Sequence, residues 1–185
     1  MNSSLTRNRL VLSKERTKEF RKTILEIWSK LEIPTDSNES WRKFPLASVD
    51  WKELKFDPKE ISTKITDESA SEPSLVDETV DGILSDILKY IPKDYFAYLS
   101  LVVAPSYELI FLEEGESEFV FQELGDEPKF SVRIFYLKSG KTAKIQNQLE
   151  HIHETDALHL SSSLDFYITE EASSLRVLDR ESSDF

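Results

Sequence analysis

All three histidines of this 185-residue chain fall in one window, "EHIHETDALH", as His151, His153 and His159. Side chains alternate between the faces of a strand, so His151 and His153 would project from the same face, with Glu150 or Glu154 close in sequence. Two imidazoles and a carboxylate are a donor set for a divalent metal. Just downstream, "HLSSSLD" sets His159 beside Ser161, Ser162, Ser163 and Asp165, the residue types of a base, a nucleophile and an orienting acid. Carboxylates cluster at Glu113, Glu114, Glu116 and Glu118 and again at Glu170 and Glu171, the residue type that glycoside hydrolysis uses in pairs.

Each set has a plainer reading. A triad is assembled from distant segments around an oxyanion hole, and no Gly-x-Ser-x-Gly elbow occurs here. Acidic clusters are routine at hairpin tips and solvent edges. The histidine pair resembles the His-x-His of cupin-like metal sites, but that pattern sets its glutamate several residues after the second histidine and a glycine beyond it. Here Glu154 adjoins His153 and no glycine follows, so His151 and His153 read as residues of a surface strand. Four glycines form no Walker or dinucleotide loop. The absence of cysteine excludes a disulfide framework, a thiolate metal site and a thiol nucleophile within these residues. The residues point away from an enzyme, and no cofactor or metal is expected in this chain.

The formal charge of −12 is unevenly placed. Residues 1–43 hold ten Lys/Arg against six Asp/Glu, which leaves thirteen against twenty-nine from residue 44 onward. So acidic a body repels nucleic acid and anionic membrane, and neither is expected as a partner. The longest apolar run, "LSLVVAP", is far short of the roughly 20 residues that span a bilayer. The opening "MNSSLTRNRLVLSK" is basic and free of acids, faintly like an organellar transit peptide, but lacks the apolar core of a secretory signal. It reads as a frayed basic tail, and the expected compartment is the cytoplasm.

Candidate side chains need elements to position them, and periodicity supplies several. Phe20, Ile24, Ile27, Trp28 and Leu31 recur at steps of three and four, predicting an amphipathic helix from Ser13 to about Glu32, capped by Ser13 and ended by Ile33-Pro34. The charges of "KERTKEFRK" read as its solvated face. Residues 57–74, "DPKEISTKITDESASEPS", offer few apolar anchors and read as a flexible linker. A second helix carries Val76, Val80, Ile83, Leu84, Ile87 and Leu88 and is closed by Pro92. After Asp94 the pattern becomes "YFAYLSLVV", "YELIFL", "EFVFQEL", "FSVRIFYL", "TAKIQNQL", "LHLSSSLDFYIT" and "SLRVL", broken at "EEGES", "GDEP" and "KSGK". These read as consecutive strands of a sandwich, barrel or β-solenoid, which periodicity alone does not separate. The chain thus divides into a helical arm with an aromatic anchor segment (1–56), a linker (57–74) and a helix plus β-rich region (75–185).

Within the arm, "SWRKFPL" puts Trp41 and Phe44 three apart on one side of a helical turn, with Arg42 and Lys43 turned away. Two buried rings, at about 1.5 to 3 kcal/mol each, are enough to staple a loop to a neighbouring surface. The stretch "NESWRKFPLASVDW", following a helix and Pro34, resembles the N-terminal region of SufD-type proteins, of the SufB/SufD family of iron–sulfur cluster assembly. Glu39, Trp41, Arg42, Phe44 and Leu46 match in order that family's glutamate, tryptophan, basic residue, aromatic and small apolar stretch. The layout is also similar: a variable loop, a helix, an acid-aromatic start like "DYFAYL", then strands. It departs at "YLSLVVAP", where the family often shows a Leu-Asn-x-Ala step.

The resemblance implies an α+β chain, an N-terminal helical region followed by the start of a right-handed parallel β-helix. An antiparallel β-sandwich or barrel is the alternative. It further implies a non-catalytic scaffold subunit that pairs with a SufB-like paralogue and a SufC-like ABC ATPase, meeting an iron–sulfur cluster only through the assembled complex. In that family the interfaces and the residues near cluster or iron lie mainly in the later β-helix and C-terminal helices. None is carried over here, His151 and His153 match no family ligand position, and further strands are expected beyond Phe185. Two other classes stand beside this one: a stand-alone β-rich protein-interaction module, and a cupin-like metal-binding enzyme using His151 and His153. Self-association through an uncapped strand edge is a further expected contact.

Overall fold

A computed structural model of the chain describes residues 9–32, 34, 75–124, 129–152 and 161–184. These form an α+β protein with three helices and seven strands in two mostly parallel sheets that do not close into a barrel. The chain divides into two compact units, Ser13–Val103, and Met1–Leu12 with Ala104–Phe185.

In the first unit lie α1 (Lys18–Trp28), α2 (Leu75–Tyr90) and α3 (Tyr95–Val103). Ser13 caps a turn rather than the helix: its Oγ accepts the Arg16 amide at 3.2 Å and its carbonyl accepts the Thr17 amide at 3.2 Å, and α1 starts only at Lys18. The buried line runs through Thr17, Arg21, Ile24 and Trp28. Arg21 is therefore no part of a solvated face; it is fully buried. Its Nε donates to Thr17 Oγ1 at 2.7 Å, and its Nη1 donates to the carbonyls of Leu101 and Val102 at 3.1 and 2.8 Å. Those carbonyls sit in the last turn of α3, where no intrahelical donor remains and a cation suits the helix dipole. α2 buries Val80, Ile83, Leu84 and Ile87, the stripe that its periodicity predicts.

"YFAYLSLVV" corrects the sequence reading, since it is helix α3 and not a strand. Every residue from Phe96 to Val102 is buried, so the run is apolar all round and carries no period to distinguish helix from strand. The deciding signal is local: Asp94 Oδ1 accepts the Ala97 amide at 2.9 Å, an N-cap just after Pro92. The Trp28 and Tyr95 rings meet at 5.5 Å between α1 and the start of α3.

The second unit holds β1 (Arg9–Leu12), β2 (Tyr107–Phe111), β3 (Gly115–Leu124), β4 (Lys129–Leu137), β5 (Thr142–Ile152), β6 (Ser161–Thr169) and β7 (Ser174–Asp184). One sheet has the order β1-β2-β4-β6 and the other β3-β5-β7. β1 joins β2 antiparallel, and all other pairs are parallel. This corrects the alternative of an antiparallel sandwich or barrel. The short turns after β2, β4 and β6 pass the chain to the other sheet instead of folding it back. Each intervening strand thereby becomes the long crossover that parallel pairing requires. Arg9–Leu12 is likewise an edge strand and no frayed tail; four residues are too few to display alternation, yet Leu12 is buried and Arg9 pairs with Glu108.

Register places equivalent residues in rows. Glu108, Arg133 and Asp165 form one row, and Ile110, Phe135 and Tyr167 the row two residues on. In the other sheet Phe119, Asn147 and Asp179 align. The turns after β4 and β6 also stack: the Glu170 amide donates to the Leu137 carbonyl at 3.0 Å, the Ser139 hydroxyl to the Glu171 carbonyl at 2.8 Å, and the Ser174 amide to the Lys141 carbonyl at 2.9 Å.

Candidate functional site

The space between the two sheets is apolar at one end. Ile110, Leu112, Phe135, Leu137, Ala143 and Ile145 form a buried cluster there, with Phe119, Tyr167, Leu175 and Val177 packed against it. Two residues back along β4 and β6 it turns polar. The Arg133 guanidinium grips Asp165 through one edge, Nε to Oδ1 at 2.6 Å and Nη2 to Oδ2 at 3.0 Å, and Nη2 also donates to Ser163 Oγ. Two-point geometry of this kind gives the stronger class of charged hydrogen bond. Across from it, Asn147 Nδ2 donates to Asp179 Oδ1 at 2.9 Å and to the Tyr167 hydroxyl at 2.8 Å, and that hydroxyl donates to Asp179 Oδ1 at 3.0 Å. The Tyr167 ring stacks on Phe135 at 5.2 Å and so joins the polar end to the apolar one.

The electrostatics of this cluster follow from burial. Desolvation pushes the Asp165 carboxyl up, outweighing the Arg133 guanidinium that favours its ionised form, and the neighbouring Asp179 charge adds to the rise. Desolvation is also the main reason the Tyr167 phenol is raised, with the Asp165 and Asp179 charges behind it. A phenol so held is a poor acid at neutral pH. Ser163 accepts from a guanidinium, a group that cannot serve as its base. Arg133 is thus a partner of both Ser163 and Asp165, and the contacts tie β4 to β6.

Three of the other acidic positions, Glu113, Glu116 and Glu170, have structural partners too. Glu113 is paired with Lys141 at 3.3 Å and Glu116 with Lys144 at 2.9 Å, along the β3–β5 side. Glu170 holds the turn after β4: it accepts the Tyr136 hydroxyl and, at 2.8 Å, the Ser139 amide. Those two donors hold its carboxyl below the usual glutamate range. Burial first, and Glu170 second, push the Tyr136 phenol up to about 12.

Of the histidines, His151 lies on β5 in register with Glu123 and Ser183. His153 and His159 lie outside the described residues, as do Glu39, Trp41, Arg42, Phe44, Leu46 and the segment 57–74. Among the described residues no group of three or more His, Asp or Glu is placed to hold a metal, and no helix is long and apolar enough to cross a membrane. Sequence reasoning passed over Arg133, Asn147, Tyr167 and Asp179. Arg133 could have been flagged, because it sits two residues before Phe135 and four before Leu137, in phase with the core face of an otherwise apolar strand. Asn147 and Asp179 become meaningful only once β5 and β7 are in register.

Fold and cluster together define an α+β protein of two mostly parallel sheets with Arg133, Asp165, Asn147, Tyr167 and Asp179 in hydrogen-bonded contact between strands. Comparison of the chain with protein-family models, curated proteins and solved structures finds no match.

Proposed function

We propose that this chain is the N-terminal part of a non-catalytic scaffold subunit of the SUF iron–sulfur cluster assembly system. It acts in the cytoplasm, paired with a SufB-like paralogue and a SufC-like ABC ATPase. The observation that carries the reading is the strand pairing. Each strand from β2 to β5 pairs in parallel with the strand two further along the chain, and successive strands alternate between two sheets. A chain winding into a right-handed parallel β-helix, two strands per turn, produces that pattern. The helices precede strands β2 to β7, in the order the resemblance at Glu39, Trp41, Arg42, Phe44 and Leu46 implies, while the short strand β1 lies before them. The inward-facing polar residues support a structural role, since Arg133 occupies Ser163 and Asp165 while Asn147 and Tyr167 occupy Asp179. An iron–sulfur cluster enters only through the assembled complex.

Co-expression tests the reading. The chain, joined to whatever coding sequence follows Phe185, is produced with a SufB-like subunit and a SufC-like ATPase, and a tag on any one component is expected to retain the other two. Failure to co-purify with either partner overturns it.

A further inference from the structure

We infer that the β6–β7 end of the two sheets is a docking edge for one more parallel strand. That strand carries a Lys or Arg in register with Asp165 and a large apolar residue two positions on, in register with Tyr167. The inference rests on the β-helix reading above and adds what the next strand must contain.

Three observations carry it. First, among the described residues β6 pairs only with β4 and β7 only with β5, so each has one edge that no described strand occupies. Unpaired strand edges are templates for a further strand. Second, burial falls away at that edge. Phe135, Ile145 and Asn147 are buried, whereas their register partners Tyr167 and Val177 are only half-buried and Asp179 is exposed. One layer of cover is what separates the two sets. Third, charge alternates along one register row, Glu108 on β2, Arg133 on β4 and Asp165 on β6, with Arg133 paired to Asp165. The next member of that sequence is a cation. Asp165 and Asp179 both lie at this end and influence each other's charge, and burial leaves Asp165 undercompensated by Arg133 alone. A basic side chain from an incoming strand would lie between the two carboxylates. An acidic one would meet two like charges. The row of Ile110, Phe135 and Tyr167 sets the second requirement, since each strand so far places a large side chain there.

The chain's own β4 sequence is a suitable probe, because it already meets β6 in this register on the opposite edge. A fluorophore-labelled peptide KFSVRIFYL is titrated into the full chain by anisotropy, beside a version bearing R133E. The expected result is saturable binding of the first and at least about tenfold weaker binding of the second, since like charges juxtaposed across an interface are strongly disfavoured. Asp179→Asn in the chain, which alters an exposed carboxylate, is expected to narrow that discrimination. Equal binding of the two peptides overturns the inference, as does no binding up to millimolar peptide. So does a chain whose edge is already occupied by a second copy, seen as a dimer in sedimentation that excludes the peptide.

A crosslink separates these failures from failure of the underlying strand pairing. Gln146 and Leu178 are register partners on β5 and β7, and the chain contains no cysteine to compete. A Gln146→Cys, Leu178→Cys variant that oxidises to an intramolecular disulfide upholds the parallel stack, so that a silent peptide then counts against the docking inference alone. A variant that does not crosslink sinks the stack reading with it.

Discussion

The two ends of the space between the sheets differ in what they ask of their residues. At the turn end, Phe135 and Leu137 face Ala143 and Ile145, and any well-shaped hydrocarbon would meet the need. Two residues away, Arg133, Asp165 and Ser163 require one geometry and tolerate little else. Apolar burial is non-directional and grows with area, whereas a buried ion pair must recover its desolvation cost through orientation. The first end therefore supplies stability and the second supplies register. A slip of β6 by a single residue would carry Asp165 off Arg133 and flip the strand's faces.

Breaking the apolar end has the largest expected effect. Phe135→Ala removes a fully buried ring that packs on Phe119 and Tyr167, and should cost about 3–5 kcal/mol, read as a lowered urea midpoint. Breaking the polar end on one side comes next. Arg133→Leu strands Asp165 in a site that already disfavours its charge, and should cost about 3 kcal/mol. The comparison sharpens when both partners go: Arg133→Met with Asp165→Leu is expected to be near neutral or stabilising, because buried ion pairs rarely outperform well-packed hydrocarbon. If the double variant is as unstable as Arg133→Leu, the pair contributes to stability directly and the division of labour between the ends is wrong.

Two carboxylates set opposite pH dependences on this unit. Glu170 has its folded value depressed by Tyr136 and the Ser139 amide, so its contribution is present above the ordinary glutamate value of 4.5 and is lost as pH falls through the depressed value. Asp165 is raised, so its contribution is present below the ordinary aspartate value and is lost as pH rises through the folded one. Glu170→Gln should therefore lower the urea midpoint at pH 7, and its gap to the parent chain should close as pH falls below about 4.5. A gap that stays constant into acid would show that Glu170 acts through shape and not through charge.

How much of this was legible beforehand depended on the period of each segment. The β2 to β7 segments announced themselves through β-branched and aromatic runs between turn residues, and α2 through its stripe. "YFAYLSLVV" did not, because a helix buried all round has no polar face to mark its period. Arg21 did not, because its burial depends on carbonyls eighty residues away at Leu101 and Val102. The polar cluster was hidden for the same reason. Arg133 and Asp165 lie on different strands, and only the parallel register brings them together. Pairing of strands two apart leaves no local mark, whereas a hairpin writes its turn into adjacent residues.

The smallest expected effect comes from the stacked turns, where two equivalent positions differ by one methyl group. Gly140 and Ala172 sit three residues after Leu137 and Thr169, which are register partners, and both adopt left-handed backbone, at φ 73° and φ 57°. That conformation suits glycine and costs a residue with a Cβ roughly 1–2 kcal/mol. A Cβ on Gly140 would meet no atom within 4 Å, so Gly140→Ala should lose stability through backbone strain and not through a clash. Ala172→Gly should gain it by the same amount. Glycine surrenders about 0.5–1 kcal/mol more conformational entropy on folding, which offsets part of the strain in both cases and leaves a net change of about 0.5 kcal/mol in each direction. Melting temperatures of the two single variants and of the exchange variant carrying both test this. The exchange should come out close to the parent chain if the turns are equivalent, because each then moves one glycine between identical conformations. A clear loss in the exchange variant would mean that the first turn, followed by a further turn of the stack, holds its backbone more tightly than the second.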